Sequence, residues 1–413
     1  MGLNPLALGC KPEVTSLEWF IMKEIVVVAH ARTPFGSFQG ALSGFSSPKL
    51  GAHAIREALA RGKVDPALVS EVIMGNVLTG GVGQAPARQA MIGAGIPNSV
   101  PALTINKVCG SGMKAIMLGA QSIQVGDSEI VVAGGQESMS NAPYLMPAAR
   151  GGFRMGNAQV VDSMIYDGLW DPYHNQHMGN CGELCAREMH FTREAQDAFA
   201  IESFKRAIAA QGANKFAGEI APIQIPGAKG ESTLLSQDEG PAKVKFDKIP
   251  TLKPAFDKAG TVTAANASTL NDGAAALVLM SAEKAKALGC KPLARIVAQA
   301  THAQDPQWFT TAPVGAMKNA IRKAGWSLNE IDAFEVNEAF AVVAMAAQKE
   351  LSIPHEKLNP WGGAISLGHP IGASGARIVM TLISYLLDTG KKRGLAGICI
   401  GGGEATALAI EIV

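Results

Sequence analysis

The sequence predicts an α/β fold built from two related halves. Short apolar segments alternate with helix-like stretches, and they lack the polar/apolar alternation of a sheet with one solvated face. The segments predicted as strands are 24–29, 71–77, 129–135, 275–280, 294–300, 331–336 and 396–403. A chain of 413 residues exceeds one ordinary domain. It also carries a weak internal repetition, which favours duplication of one α/β unit.

The repetition covers two pairs of segments. Residues 64–76 resemble 326–340, since each contains a helix end, a turn and a strand, and CGSGMKAI at 109–116 resembles GASGARIV at 372–379. Between the repeats the chain is rich in Pro, Gly, Met and charge, with one clear helix near 193–211. The predicted division is an N-terminal half of 22–138 and 264–284, an inserted loop domain of 139–263 and a C-terminal half of 285–413.

Composition limits the kinds of molecule that we expect the protein to bind and the compartment in which we expect it. A net charge of +1, from 36 basic and 35 acidic residues, favours neither nucleic acid nor a membrane surface. Six scattered cysteines are typical of a reducing compartment. No segment approaches the roughly 18 apolar residues of a membrane span. Residues 1–21 lack arginine and contain two glutamates, so we expect an N-terminal extension outside the fold rather than a targeting peptide.

Cys109 lies in the segment TINKVCGSGMKAI, residues 104–116. The branched residues up to Val108 read as the end of a strand. Apolar residues then recur with the spacing of an amphipathic helix, at Met113, Ile116, Met117 and Ala120. At the start of that helix the macrodipole favours a thiolate, which suits a nucleophile. A packing thiol in the core and a metal ligand are the alternatives.

Three further polar groups are predicted near strand ends, where ligand crevices form in α/β sheets. His369 lies between Gly368 and Pro370 ahead of a helix, and Cys399 precedes three glycines. Asn337 follows a strand and enters a helix. Taken singly, His369 is equally typical of a structural histidine, Cys399 is more typical of a core thiol, and Asn337 is more typical of a helix cap.

His174, His177, Cys181 and Cys185 form a cluster with near-zinc spacing. The cysteines are separated as C-x3-C, and the stretch lacks the paired turns of a structural zinc site. We therefore predict no metal site. No Gly-rich segment has the G-x-G-x-x-G order of a dinucleotide site either.

Six motifs in this order resemble the thiolase family, and in particular its short-chain members. They are NKVCGSGMKAI, GGQESMSNAPY, VTAANASTLNDGAAALVLM, VNEAFA, GGAISLGHPIGASGAR and CIGGGEATA. The resemblance runs from about residue 23 to the C-terminus. It implies the α/β/α/β/α thiolase fold and the reversible condensation of two acetyl-CoA to acetoacetyl-CoA.

The resemblance also implies roles for individual residues. Cys109 carries the acetyl group, His369 is its base, and Cys399 is the second acid/base. Asn337 holds a water that, with His369, stabilises one oxyanion, and the backbone N–H groups of Cys109 and Gly401 stabilise the other. The residues implied in CoA and acyl binding are Lys243, Val244, Lys245, Lys248, Ser268, His177, Met178, Phe256, Ala267 and Phe340. A solvated charged face for the lysines and core packing for the last three are the alternatives.

Two departures from the family pattern concern specificity and ions. Trp308 and Phe309 stand where many biosynthetic members carry Met, which leaves 2-methylacetoacetyl-CoA open as a substrate. Phe204 replaces the tyrosine of the potassium site in the mitochondrial type, so potassium activation is doubtful and no cofactor is expected. The resemblance further implies a homotetramer, cytoplasmic or else in the mitochondrial matrix.

Three rival functions remain. One is a broad 3-ketoacyl-CoA thiolase of fatty-acid oxidation. Another is a decarboxylating ketoacyl synthase, which would need a histidine at position 399. The third is a CoA- or zinc-binding protein without turnover.

Overall fold

The computed structural model describes residues 23–227 and 230–413. The predicted N-terminal extension, residues 1–21, lies outside these described residues. No helix within the two described ranges is both long and apolar enough to cross a membrane.

Most strands belong to one large mixed sheet. In chain order the strands are β1 (Ile25–Arg32), β2 (Gly36–Ser37), β3 (Glu71–Gly75), β4 (Ala102–Ile105), β5 (Ile130–Ser138), β6 (Tyr144–Leu145), β7 (Val161–Asp162), β8 (Trp170–Asp171), β9 (Gln176–His177), β10 (Ile223–Pro226), β11 (Ser232–Leu235), β12 (Asn271–Ser281), β13 (Ala294–Ala303), β14 (Ala333–Val336), β15 (Arg393–Ile400) and β16 (Glu404–Ile412). The large sheet has the order β14-β15-β16-β13-β1-β12-β5-β3-β4, with β2 beside β12. The remaining strands form three two-stranded ribbons.

The large sheet contains the same four-stranded unit twice. In the first unit β3 pairs parallel with β5, β5 antiparallel with β12, and β12 antiparallel with β1. In the second unit β14, β15, β16 and β13 repeat these senses in the same order. The units join where β1 pairs antiparallel with β13. The predicted duplication is confirmed.

Helices cover the two units in layers. They are α1 (Ser47–Gly62), α2 (Pro86–Gly93), α3 (Ser111–Val125), α4 (Ser163–Gly168), α5 (Met178–Glu188), α6 (Arg193–Gly212), α7 (Ala282–Leu288), α8 (Ala312–Ala324), α9 (Ala341–Leu351), α10 (Ala364–Leu367) and α11 (Ser374–Thr389). Helix α1 packs on the strands of the first unit, α8 on those of the second, and α3 and α11 contact both units and each other. The apolar side chains of α3 and α11 belong to one buried cluster between the units. This is the predicted α/β/α/β/α order.

Glycines allow the two central helices to meet at their first turns. A Cβ at Gly112 would lie 2.8 Å from the backbone nitrogen of Ala376, and one at Gly375 would lie 2.5 Å from that of Met113. These contacts place the N-termini of α3 and α11 side by side. Cys109 and His369 immediately precede these two helices, so the crossing brings their loops together.

The segment between β5 and β12 carries the small ribbons and three helices. Helix α6, Arg193–Gly212, confirms the predicted helix near 193–211. Helices α4 and α5 are not predicted by the sequence, because they are short and lie in a Gly- and Met-rich stretch. Strand β4 ends at Ile105, so Val108 belongs to the following turn and not to the strand. Strand β15 ends at Ile400, so Gly401 lies in the turn to β16 and Cys399 is inside the strand.

Candidate active site

A largely apolar cavity of about 550 Å³ opens between the two units and the inserted region. Most of the residues predicted from the sequence for catalysis and acyl binding line it, namely Cys109, His177, Met178, Phe256, Ala267, Ser268, Phe340, His369 and Gly401. Its volume lies in the range of small-molecule sites. The fold therefore brings together residues that lie up to nearly 300 positions apart in the chain.

Cys109 projects from a tight turn between β4 and α3. The residue before it, Val108, has φ of 45°, which is a costly conformation for a β-branched side chain. The turn is held locally, since Val108 N–H donates to Asn106 Oδ1 at 2.9 Å and Ser111 Oγ donates to the Val108 carbonyl at 2.6 Å. Backbone strain at this position aims the thiol into the cavity.

Desolvation has a larger effect on the pKa of the Cys109 thiol than its position before the start of α3. The apolar surroundings raise the pKa of Cys109 to about 12, against the smaller opposing effect of N–H donors from Gly401 and from Cys109 itself. The prediction that the helix start favours a thiolate is therefore wrong for the resting protein. Two N–H groups nevertheless point at the sulfur. They are the pair that the sequence predicts as oxyanion donors.

His369 is almost fully buried and faces the same cavity. Its backbone N–H donates to Asn271 Oδ1 at 2.9 Å, which ties it to β12 of the first unit. Burial lowers the pKa of His369 to about 3, and the nearby Arg377 acts in the same direction. The imidazole is therefore neutral, as a general base requires.

Ser374 fixes which nitrogen of His369 carries the proton. Its Oγ lies 2.6 Å from His369 Nδ1 and 3.0 Å from the carbonyl of Pro370. The carbonyl only accepts, so the hydroxyl donates to it and accepts a hydrogen bond from Nδ1–H. Nε2 is then the unprotonated nitrogen. It is buried and has no hydrogen-bond partner among the described residues, which leaves it free to receive a proton from a substrate or thiol.

Asn337 and Cys399 do not line the cavity, although Cys399 is a close neighbour of Cys109. Asn337 is fully buried, and neither its Oδ1 nor its Nδ2 has a hydrogen-bond partner among the described residues. It is not a helix cap, since α9 begins after Phe340. A buried amide with both ends unpaired is costly and suits a bound water or substrate oxygen. Burial and the neighbouring Cys109 raise the pKa of Cys399 well above that of a free thiol.

Aromatic rings form one wall of the cavity. The His177 and Phe256 rings stack at 4.7 Å, and Phe340 contacts Phe256 and Phe309 edge-on at 6.0 and 6.3 Å. His177 Nδ1 also accepts from Gly179 N–H, which caps α5. A Cβ at Gly179 would lie 2.2 Å from the Phe256 ring, so the stack requires glycine there.

A second, smaller cavity of about 290 Å³ adjoins the first and shares Ser37, Ala264 and Thr269 with it. It is lined by the remaining residues predicted for CoA binding, Lys243, Val244, Lys245 and Lys248. The three lysines are exposed at its mouth. The two cavities together form a path from a cationic entrance to Cys109.

The residues of the His/Cys cluster with near-zinc spacing make other contacts. His174 bonds to Asp171 at 2.8 Å, His177 caps α5, and Cys181 accepts from Gln176. Within residues 23–227 and 230–413 no three His, Cys, Asp or Glu side chains converge as a metal site.

Several residues that line the cavity cannot be recognised as site residues from the sequence. Met139, Met164 and Ile371 are apolar residues from three different segments. Ser374 likewise looks like an ordinary helix-start serine. Their roles depend on neighbours that are distant in the chain, which periodicity and local motifs do not reveal.

The fold and the cavity define a duplicated α/β protein with a nucleophile-type cysteine, a neutral imidazole and a second buried thiol at one site. Family models agree with this description. "Thiolase, N-terminal domain" matches residues 25–283, and "Thiolase, C-terminal domain" matches residues 290–412. The chain belongs to the thiolase family.

Relatives and solved structures support the same conclusion over nearly the whole chain. Acetyl-CoA acetyltransferase 2 of Arabidopsis thaliana is 53% identical over 95% of this chain and 98% of its own length. An acetyl-CoA acetyltransferase of Cupriavidus necator is 54% identical over 94% of this chain and 100% of its own. The crystal structure of the Bacillus anthracis acetyl-CoA acetyltransferase matches with a TM-score of 0.92, 42% identity, and coverage of 95% and 99%.

Proposed function

We propose that the chain is an acetyl-CoA C-acetyltransferase, which reversibly joins two acetyl-CoA into acetoacetyl-CoA and free CoA. The observation that carries this proposal is the single cavity shared by Cys109, His369 and Gly401. Relatives named acetyl-CoA acetyltransferase, at 50% identity and above, support the acetyl specificity.

In the cleavage direction the reaction begins from the resting protonation states, which are the Cys109 thiol and the neutral His369 imidazole. Cys109 sulfur attacks the ketone carbon of acetoacetyl-CoA while its proton passes to His369 Nε2. The carbon–carbon bond breaks, and the acetyl-CoA enolate takes a proton from the Cys399 thiol. CoA then gives its proton to the Cys399 thiolate and attacks acetyl-Cys109, whose departing sulfur recovers the proton from His369. Synthesis is the reverse sequence, and the covalent intermediate divides a difficult condensation into two steps.

Each step places negative charge on a carbonyl oxygen, which needs preorganised donors. The N–H groups of Cys109 and Gly401 suit the oxygen of the acetyl-cysteine, since both already point at the sulfur. A water held by Asn337, together with His369, suits the thioester oxygen of the second substrate. The unpaired amide of Asn337 supports that assignment.

CoA binding follows from the joined cavities. The three exposed lysines suit the phosphates of the nucleotide, and Ser268 suits the pantetheine amides. The aromatic wall with His177 and Met178 suits a short acyl chain. Phe309 lines the same wall, and this favours the four-carbon substrate over a long-chain ketoacyl-CoA. Cleavage of 2-methylacetoacetyl-CoA is the second candidate activity.

The test is loss of the acetoacetyl-CoA enolate absorbance in the presence of CoA. We expect turnover by the wild type and by Cys290→Ala, whose thiol is partly buried beside the Gly62 carbonyl and away from the cavity. Cys109→Ala should be inactive. Near-native turnover of Cys109→Ala contradicts the proposed nucleophile. Equal rates with long-chain ketoacyl-CoA contradict the short-chain specificity.

We also propose a cytoplasmic homotetramer that needs no potassium. Exposed apolar side chains of the inserted region suit burial against another subunit: Tyr144, Met146, Phe153, Met155 and Val160. Phe204 supplies no oxygen ligand for a cation and packs against Ala341 and Ile365. Light scattering and a comparison of rates in potassium and sodium salts test these two statements. Cell fractionation tests the compartment.

A further inference from the structure

Glu137 is a fully buried carboxylate near the end of β5, outside the lining of the cavity. Both of its oxygens are used. Oε1 accepts from Asn76 Nδ2 at 2.7 Å and from Leu78 N–H at 3.1 Å. Oε2 accepts from Val77 N–H and from Gly372 N–H, each at 3.0 Å. All four partners are N–H donors, so the arrangement favours the ionised carboxylate, whereas burial raises the pKa of Glu137 to about 7.

The four bonds connect two loops from different halves of the molecule. Residues 76–78 follow β3 in the first unit, whereas Gly372 lies three residues after His369 in the second. The loop of Gly372 also rests directly on β5, because a Cβ at Gly135 would lie 1.9 Å from the Gly372 carbonyl oxygen. Glu137 is therefore the side chain that fastens the histidine loop to the first unit at this point.

The same two loops flank the nucleophile. Val77 and Leu78 from one loop and Ile371 from the other belong to one apolar cluster, and Cys109 packs against that cluster. A shift of either loop relative to β5 would therefore change the position of His369 relative to the thiol. Hydrogen bonds from N–H groups to an ionised carboxylate are stronger than hydrogen bonds between neutral groups. Such bonds are suited to holding the two loops in fixed positions relative to each other.

We infer that Glu137 is a positioning residue for acyl transfer, holding the His369 loop and the loop of residues 76–78 in register around Cys109. The inference rests on the proposed function, since it concerns the same site. Glu137 does not touch the reacting atoms. Its positioning effect acts through His369, and its negative charge in addition raises the pKa of Cys109.

The experiment measures alkylation of Cys109 by iodoacetamide across pH, with the modified peptide identified by mass spectrometry. It compares the wild type with Glu137→Gln, Glu137→Asp and His369→Ala. The amide of Glu137→Gln keeps the shape of the side chain but sets an NH₂ group against N–H donors. Glu183→Gln is the matched control. Glu183 is a buried carboxylate that accepts from Thr261 and Val262 N–H in the inserted region, away from both loops.

We expect Glu137→Gln to slow the alkylation about 100-fold, the cost of a displacement of roughly 1 Å at a reacting pair. The dependence of the alkylation rate on pH in Glu137→Gln should approach that of His369→Ala, because the displaced imidazole no longer accepts the Cys109 proton. Glu183→Gln should keep the rate and pH profile of the wild type, although its melting temperature falls by a similar amount. A merely structural role of Glu137 would lower the melting temperature without slowing the alkylation, because loss of the Glu137 charge alone lowers the pKa of Cys109 and favours the reactive thiolate.

Three results would overturn the inference. The first is a folded Glu137→Gln with the wild-type rate and pH profile, and the second is an equal slowing in Glu183→Gln. If Glu137→Gln yields no folded protein, Glu137→Asp is judged by the same criteria, and failure of both to fold would show a purely structural role. The readout needs no CoA substrate. A wild type that fails to turn over acetoacetyl-CoA would refute the proposed function without changing this comparison.

Discussion

Replacing Ser374 with alanine tests the assignment of the His369 tautomer. The wild-type hydroxyl accepts from Nδ1–H and donates to the Pro370 carbonyl, so Nε2 is left unprotonated. In Ser374→Ala the Nδ1–H tautomer would bury an unpaired donor, because His369 is only 5% exposed, and the Nε2–H tautomer buries one as well, so the preference that the hydroxyl gives to Nδ1–H is lost. The other tautomer, with the proton on Nε2, cannot accept the Cys109 proton.

The magnitude follows from the cost of the unpaired donor. A buried donor without a partner costs about 1–3 kcal/mol, and each 1.4 kcal/mol corresponds to about a tenfold change in a population. The ratio that favours the base-competent tautomer should therefore fall roughly 5- to 150-fold in Ser374→Ala, which leaves the two tautomers about equally populated. We expect kcat and kcat/KM to fall about twofold or more with KM little changed, since the competent tautomer falls to about half and Ser374 does not line the cavity.

The assay is single-turnover acetylation of Cys109 by acetyl-CoA, followed by mass spectrometry. Ser384→Ala is the matched control, because Ser384 is a buried serine of the same helix whose Oγ has no hydrogen-bond partner among the described residues. It should acetylate at the wild-type rate. A wild-type rate in Ser374→Ala, or an equal loss in both variants, refutes the tautomer assignment.

Three further outcomes are expected. Cys399→Ala should form acetyl-Cys109 from acetyl-CoA more slowly, because the departing CoA loses its proton donor, and should form no acetoacetyl-CoA, which mass spectrometry and product analysis separate; formation of acetoacetyl-CoA at the wild-type rate would contradict the role of Cys399. Gly135→Ala should cost about 3 kcal/mol of unfolding free energy or more in a urea titration, because its Cβ would collide with the Gly372 carbonyl oxygen. Burial lowers the pKa of His30 to about 3. The folded state therefore binds fewer protons than the unfolded chain, and stability is lost as pH falls from about 6.5 toward 3. His30→Leu should unfold at lower pH than the wild type by circular dichroism, and an unchanged midpoint would contradict this.

Local sequence patterns predicted the α/β elements and their duplication, but not the geometry of the residues around Cys109. The strands and α3 follow from apolar periodicity, and the pairing of repeated segments predicted the duplication. The turn at Val108 was not predictable, because its positive φ accompanies hydrogen bonds that form only in the folded turn, from Val108 N–H to Asn106 Oδ1 and from Ser111 Oγ to the Val108 carbonyl. Glu137 and Gly372 are 235 residues apart, and no local pattern joins them.

The thiolate prediction for Cys109 failed for a physical reason that applies to the whole site. Helix position is visible in the sequence, whereas desolvation depends on residues from several distant segments that surround the thiol. Burial raises the pKa of Cys109 to about 12 and lowers that of His369 to about 3, so the resting pair is thiol and imidazole rather than an ion pair. Separated charges are therefore costly in this cavity, and in the proposed reaction a substrate oxygen takes the negative charge beside the N–H groups of Cys109 and Gly401. The same apolar surroundings that suppress the resting thiolate strengthen those hydrogen bonds as the charge moves to the substrate.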